Sequence, residues 1–181
     1  MTTTGYALLG LLALRPWTTY ELAQQVRRSL SWFWPRTERK LYDEPKRLVA
    51  AGFATAREEF TGKRKRTVYE ITDAGRAALR AWLGEPSAPP SMENEAMVRV
   101  FFADGGDVAS LQVTLAAMAD GARVRLAELE AMEGGEYPFP ERRHITRLAM
   151  RLQQRQEQTM IDWATWASAE VARWDATTSP G

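Results

Sequence analysis

The chain has 181 residues, of which 45% are hydrophobic and 26% charged, a composition typical of a chain that folds. It has no cysteine and one histidine, His144, so disulfides, thiolate nucleophiles and metal centres built from several Cys or His are excluded. The apolar run Tyr6–Leu14 is too short to span a bilayer, and neither basic residues before it nor a cleavage site after it mark a secretion signal. We therefore expect a cytoplasmic protein without a metal or another cofactor.

The net charge of +1 conceals an uneven distribution along the chain. Residues 1–84 carry 15 Lys and Arg against 8 Asp and Glu, a net +7, whereas the remainder carries 9 against 15, a net −6. This asymmetry predicts a polyanion-binding module joined to a part with a different task. The proline-rich stretch GEPSAPPS separates the two parts. We predict one domain over residues 1–84, a linker over 85–91 and a second domain over 92–181.

Two helices are predicted at the start of the chain. The apolar segment Tyr6–Leu14 forms the first and ends at Arg15-Pro16, because a residue before proline avoids helical angles. Thr18 and Glu21 have the spacing of a capping box, which starts the second helix.

A third helix is predicted from about residue 37 to residue 51. Leu41 and Leu48 recur at helical spacing and should face inward, and Gly52 should end the helix. Pro45 lies inside this span and removes one backbone hydrogen bond, so we expect it to kink or split the helix.

A hairpin and a fourth helix follow. ATAREEF and TVYEI alternate as strands do, and TGKRKR would join them as an extended hairpin tip. Asp73 is predicted to cap the fourth helix. Three helices, a hairpin and a helix are the order of a winged helix-turn-helix, so the predicted fold is mainly α with a small β-hairpin.

The second half is predicted to be all helical. A short helix covers Asn94–Ala103, Asp107 caps a longer one, and a last helix begins near Glu141. Apolar residues on the two long helices recur every three or four positions, which predicts one continuous stripe on each. Because two helices cannot cover both stripes, we expect a second copy of the chain to cover them in an all-α antiparallel dimerisation domain. The residues expected in this homodimer contact are Leu111, Leu115, Met118, Leu152, Met160, Trp163, Val171 and Trp174.

Basic residues concentrate in two elements of the first half. Lys63, Arg64, Lys65 and Arg66 are consecutive at the hairpin. The third helix carries a second group, Arg36, Arg39, Lys40, Lys46 and Arg47, with Thr37 and Tyr42 available for hydrogen bonds. A charge run alone is usually a solvated loop, but these are the two elements that a winged helix presents to DNA. We predict contacts with the phosphates and bases of double-stranded DNA.

Three segments of the sequence resemble the PadR family of transcriptional regulators. They are GYALLGLLALRPWTTYELAQQV, LYDEPKRLVAAGFATA and GKRKRTVYEITDAGRAALRAWL. The resemblance is close from about Thr4 to Leu83 and extends to the helical remainder, which resembles the family's C-terminal dimerisation domain. It implies a homodimer that binds a near-palindromic operator, usually as a repressor. It also implies that an effector can be sensed, since some members of the family sense phenolic compounds or drugs through the dimerisation region.

The resemblance also implies roles for particular residues. It places residues 36–47 on the recognition helix and 63–66 on the wing, with Tyr42 at a tyrosine position that commonly faces DNA. Many members have proline directly after this tyrosine, whereas Asp43 stands here. Because arginine is suited to bidentate contacts with guanine, Arg36 and Arg39 are the residues expected to read bases.

The aromatic residues of the last helix allow two interpretations. Trp163, Trp166 and Trp174 are expected either to anchor the dimer interface or to form a pocket for a small aromatic or hydrophobic effector. In the second case Met118, Trp163 and Trp166 are the predicted effector-binding residues, because methionine adapts its shape to a ligand.

Two other classes of function were weighed against a DNA-binding regulator. An enzyme is disfavoured because the composition excludes most nucleophile–base pairs, and Glu58 and Glu59 are neighbouring carboxylates that alternate across a strand. The alternative that stays open is a winged helix used for protein–protein contact without specific DNA binding. That use would not require cations on both the helix and the hairpin.

Overall fold

Helices dominate both parts of the chain. The computed structural model describes residues 1–34, 38–62, 64–90 and 93–178, without the side chains of residues 38–40, 61 and 64. The chain divides into two compact units, Met1–Pro89 and Pro90–Gly181. In the described part, the helices are too short or too polar to cross a membrane.

The first unit has the winged helix-turn-helix order, which confirms the predicted fold class. Its elements are α1 (Thr3–Leu12), β1 (Trp17–Thr18), α2 (Thr19–Ser29), α3 (Glu38–Ala50), β2 (Ala54–Thr61), β3 (Arg64–Ile71) and α4 (Asp73–Leu83). The three strands form an antiparallel sheet in the order β1-β3-β2.

The core of this unit is built from the apolar faces of its first three helices. Its fully buried leucines are Leu8, Leu9, Leu12, Leu22, Leu41 and Leu48. The capping box of α2 is present: the Thr18 hydroxyl accepts a hydrogen bond from the Glu21 amide at 3.2 Å, and the Glu21 carboxylate accepts one from the Thr18 amide at 2.7 Å. Helix α2 therefore starts where the sequence predicts.

Two features of α3 and α4 differ from expectation. Pro45 does not split α3, which is continuous from Glu38 to Ala50 with Pro45 fully buried inside it. The cap of α4 is Thr72, whose hydroxyl accepts a hydrogen bond from the Gly75 amide at 3.1 Å, while Asp73 is the first helical residue. Thr and Asp are both good caps, so the sequence alone does not separate these neighbouring positions.

The hairpin also differs from expectation, because its strands are longer and its tip shorter. Arg64, Lys65 and Arg66 belong to β3 and pair with Thr61, Phe60 and Glu59 of β2, respectively. The tip includes Gly62, at a φ of +60°, a conformation that favours glycine. Opposite charges on facing strands allow the ladder to extend into the predicted tip.

The second unit is a pair of long helices with a short one packed against it. Its helices are α5 (Glu95–Phe101), α6 (Val108–Gly134) and α7 (Arg143–Val171), with single 3₁₀ turns at Ala103–Gly105 and Pro140–Arg142. The predicted cap Asp107 is present and accepts a hydrogen bond from the Ser110 amide. Asn94, predicted as the first residue of the short helix, caps α5 instead by accepting a hydrogen bond from the Met97 amide.

The α6–α7 pair has its own apolar core. The buried cluster consists of Leu111, Leu115, Met118, Ala119, Ala164, Ala167 and Val171, and Met160 and Trp163 pack against it. Four residues expected at a dimer interface, Leu111, Leu115, Met118 and Val171, thus contact the chain's own helices. A stripe that faces a neighbouring helix of the same chain has the same sequence pattern as one that faces a second subunit.

Helix α7 carries apolar residues on two opposite faces. Met150, Ala164 and Val171 are buried on the face toward α6. Ile145, Leu148, Leu152 and Trp166 are 48%, 72%, 57% and 59% exposed, and helical spacing places them together on the other side. We call these four residues the outer face of α7.

Candidate nucleic-acid interface

Helix α3 has one buried face and one exposed face. Leu41, Glu44, Pro45 and Leu48 are buried at helical spacing, which fixes the rotation of the helix on the unit. The opposite side exposes Tyr42, Asp43, Lys46 and Arg47 to solvent. Tyr42 is 39% exposed and Arg47 exposes 71% of its side chain. The arrangement presents one aromatic hydroxyl, one carboxylate and two cations outward.

A buried carboxylate ties α3 to the start of α1. Glu44 is 5% exposed, and its Oε1 accepts a hydrogen bond from the Thr2 hydroxyl at 2.8 Å. Thr2 also caps α1, because its Oγ1 accepts a hydrogen bond from the Gly5 amide at 3.1 Å. The other Glu44 oxygen lies 3.5 Å from Nη1 of Arg47. Glu44 thus joins the core side of α3 to one cation of its exposed side.

Several predicted DNA-binding residues lie outside this description. Arg36, Thr37 and Lys63 are not among the described residues. Arg39 and Lys40 lie in the first turn of α3 and Arg64 in β3, but their side chains are outside the description.

The hairpin β2–β3, which we call the wing, distributes its cations over both faces of the sheet. Arg57 and Arg66 lie on one face with Glu59 between them, and Lys65 lies on the other face with Glu58. Phe60 directly opposes Lys65 and is 69% exposed. Of the basic run, Lys65 and Arg66 have described side chains, and these two lie on opposite faces, because successive side chains of a strand point to opposite faces.

Arg57 is a cation of the wing that the consecutive basic run did not reveal. It lies 10 residues before Thr67, on the other strand, and faces the same side as Arg66. In the sequence, Arg57 precedes Glu58 and Glu59 on the strand before the basic run. Its place beside Arg66 can be inferred only once the register of the two strands is known.

The second unit contains a cleft of about 500 Å³ between α5, α6 and α7. Met118 and Met160 line it together with Val113, and Arg99 and Arg125 lie at its wall. Arg99 pairs with Glu95 at 2.7 Å and Arg125 with Glu157 at 2.9 Å. Of the predicted effector residues, Met118 lines this cleft, whereas Trp163 packs on the core and Trp166 is exposed, both outside the lining.

Comparison with known proteins assigns the family. A sequence model described as the Transcriptional regulator PadR-like family matches residues 8–81, the segment that contains α3 and the wing. Residues 8–81 therefore form a domain of the PadR-like family of transcriptional regulators. A second model, Virulence activator alpha C-term, matches residues 92–172 of the chain.

A curated relative of this protein is the Negative transcriptional regulator PadR of Bacillus subtilis. The two are 31% identical over 99 residues, 54% of this chain and 54% of the relative. The matched region thus spans about half the length of that relative.

Solved structures of other proteins share the fold of this chain. B. subtilis PadR in complex with operator DNA is 22% identical, with a TM-score of 0.83 over 94% of this chain and 99% of that one. The same protein in complex with p-coumaric acid gives a TM-score of 0.74 at 22% identity over 93% and 98%. The Vibrio cholerae virulence activator AphA gives 0.73 at 24% identity over 94% and 98%. Likeness at these identities shows that the folds agree.

Proposed function

We propose that this protein is a sequence-specific DNA-binding transcriptional regulator, a homodimeric repressor that a small-molecule effector releases from its operator. The observation that carries this proposal is the exposed side of α3, where Tyr42, Lys46 and Arg47 stand opposite a buried face. A protein with this activity works where the chromosome is, in the cytoplasm, and acts by binding rather than by catalysis.

The residues of α3 and of the wing divide the work of recognition. An α-helix fits the major groove, where Arg36 and Arg39 would read guanine and Tyr42 would donate or accept a hydrogen bond. Thr37, Lys40, Lys46 and Arg47 would hold the helix against the phosphates. The wing would lie along the phosphate backbone of the DNA, within reach of the cations at 63–66, and Arg57 joins the set of wing cations predicted from the sequence.

Dimerisation is proposed to bury the outer face of α7. Leu148, Leu152 and Trp166 of that face are more than half exposed in the single chain, and exposed large apolar side chains that share a helix face commonly mark an interface. Trp174, 47% exposed beyond α7, would extend the contact, with Met160 and Trp163 at its margin. A twofold dimer would place two α3 helices in half-sites about 34–36 Å apart on a near-palindromic operator.

The cleft of the second unit is the proposed effector site. Its methionines offer an adaptable apolar surface, and an acidic group could pair with Arg99 or Arg125 by displacing Glu95 or Glu157. B. subtilis PadR, solved with p-coumaric acid, supports a small aromatic acid as the first compound to test. Met118 is retained from the predicted effector residues, and Met160 takes the place of the two tryptophans.

Duplex binding measured by fluorescence anisotropy tests the proposal. DNA from the region upstream of the protein's own gene should bind more tightly than random duplex. A dimer that neutralises roughly 6–10 phosphates should give a log–log salt slope of about −5 to −9. Replacing Lys46 with Ala should make the slope shallower by roughly 1–2 for a dimer. Arg80→Ala removes an exposed cation of α4 and serves as the control with the same charge change.

The alternative function predicts a different result. A winged helix used for protein contact would show a flat salt dependence or no duplex binding. Equal binding of upstream and random DNA would remove sequence-specific regulation from the proposal. A candidate aromatic acid that neither changes operator affinity nor quenches tryptophan fluorescence would count against the effector.

A further inference from the structure

Most of the wing cations that the structure describes are already engaged by carboxylates of the wing itself. Arg66 places Nη2 2.8 Å from Oε2 of Glu59, and Arg57 places Nη2 3.1 Å from Oε1 of the same residue. On the other face, Nζ of Lys65 lies 2.6 Å from Oε1 of Glu58. Two carboxylates thus hold three cations, and each oxygen of Glu59 faces a different arginine.

A carboxylate and a phosphate compete for the same cations. Both are oxyanions that accept charge-assisted hydrogen bonds from guanidinium and ammonium groups. A cation that stays on its glutamate does not replace a counterion of DNA and adds nothing to the salt dependence of binding. Ion pairs at a protein surface are weak, so phosphates can displace the glutamates. Each displacement nevertheless costs the energy of the ion pair that is lost.

We propose that Glu58 and Glu59 withhold Arg57, Lys65 and Arg66 from DNA phosphates, and thereby set the affinity and the salt dependence of the wing. This inference rests on the proposed DNA-binding function and goes beyond it, because it assigns a role to two acidic residues in the interface. The wild-type wing neutralises fewer phosphates than its cations would allow. Removing either carboxylate turns it into a stronger phosphate-binding element that does not read sequence.

The chain offers a matched set of variants for the test. Glu59→Gln frees two arginines and Glu58→Gln frees one lysine, and both keep the shape of the side chain. Glu70→Gln is the control, since Glu70 is exposed on β3, on the same face as Glu59, and has no ion-pair partner among the described residues. All three variants remove one negative charge from the same sheet.

Random duplex and upstream DNA are titrated with the full-length protein at several salt concentrations. Glu59→Gln should bind both duplexes more tightly, by roughly two- to fivefold for each pair released in each subunit at low salt. Its log–log slope should be steeper by about 0.9 for each freed cation that reaches a phosphate. Glu58→Gln should show about half of this change in slope, and Glu70→Gln a small gain in affinity without a change in slope.

The outcomes separate the inference from the function beneath it. Equal slopes and affinities for Glu59→Gln and Glu70→Gln would overturn the inference and leave DNA binding intact. Weaker binding by Glu59→Gln would also overturn it, since that result means the ion pairs only hold the wing in shape. If Glu59→Gln fails to fold by circular dichroism, Glu58→Gln against Glu70→Gln decides the matter on the other face. Failure of the wild type to bind any duplex would overturn both proposals.

Discussion

Gly75 is a residue whose identity is dictated by the backbone beside it. A Cβ placed on this glycine would lie 2.1 Å from the carbonyl oxygen of Phe53 and 2.9 Å from Cγ1 of Ile71. The carbonyl belongs to the main chain between α3 and β2 and cannot rotate away as a side chain would. The start of α4 and the segment between α3 and β2 therefore lie so close together that a side chain at position 75 would not fit.

Gly75→Ala should destabilise the first unit. Overpacking against backbone commonly costs about 1–3 kcal/mol, and a contact of this kind belongs at the upper end. The free energy of unfolding measured in urea checks the value. Gly10→Ala is the matched control, because a Cβ there meets nothing within 4 Å and alanine in a helix is favoured over glycine by about 1 kcal/mol. A stability loss no larger for Gly75→Ala than for Gly10→Ala would contradict the proposed clash.

The structural role of a residue was predictable from the sequence where its partners are close along the chain. It was less predictable where the role depends on a residue far away in the sequence. The Thr18–Glu21 capping box spans three residues and was confirmed. Glu44 reads as an ordinary helix carboxylate, yet it lies on the buried face of α3, where it accepts a hydrogen bond from Thr2, 42 positions away. Its partner could not be found from periodicity, since nothing in the sequence near Glu44 identifies Thr2.

At the scale of one element, the start of α2 depends on the ionised form of Glu21. Burial raises the pKa of the Glu21 carboxyl, but hydrogen bonds from Thr18 and the charge of Arg15 outweigh burial and hold that pKa below its usual range. A folded-state pKa below the unfolded one means that ionisation stabilises the fold. This contribution is complete above the ordinary glutamate pKa of about 4.3 and is lost as the pH falls through the lower folded value.

Glu21→Gln should therefore destabilise the first unit at pH 7 and have a smaller effect at pH 3. A few tenths of a kcal/mol is expected, because Glu21 is largely solvated and its interaction with Arg15 is screened. Urea unfolding of wild type and variant at the two pH values measures the difference. Glu85→Gln, which removes an exposed carboxylate beyond α4, should show no such dependence on pH. A Glu21→Gln effect that is the same at both pH values would mean that the charge of Glu21 does not stabilise α2.

Helices and the alternating segments of β2 and β3 were located from the sequence, whereas strand β1 and the extension of the hairpin, which depend on pairing alone, were not. All four helices of the first unit were predicted, because their apolar spacing is local. Strand β1 has two residues and no periodicity of its own, and it exists because Trp17 and Thr18 pair with Tyr69 and Val68 of β3. The basic segment read as a loop for the same reason, since its strand character comes from the facing residues of β2.

At the scale of the whole molecule, opposite charges on the two parts match two different tasks. The first unit carries the cations of α3 and of the wing, and the second carries a helical pair with an exposed apolar outer face on α7. The dimer residues could not be assigned from the sequence alone. An apolar stripe shows which side chains of a helix face a packing partner. It does not show whether that partner is another helix of the same chain or a second copy of the chain.

Replacing both Leu148 and Leu152 with Glu should dissociate the dimer. Two like charges placed in an apolar contact lose hydration without gaining partners, so the monomer should dominate at micromolar concentration. Light scattering after gel filtration gives the mass. Thr165→Glu, exposed on a different side of α7 from the outer face, is the control and should stay dimeric. A double variant that remains a dimer would place the interface elsewhere on the second unit.

Met118 belongs to two environments at once, the buried core between α6 and α7 and the wall of the cleft. Any compound that fills the cleft must contact Met118, whose side chain also packs between α6 and α7. Heat resistance of the second unit thus becomes a readout of occupancy that needs no DNA. A library of small acids can be ranked by melting temperature before a single promoter is known.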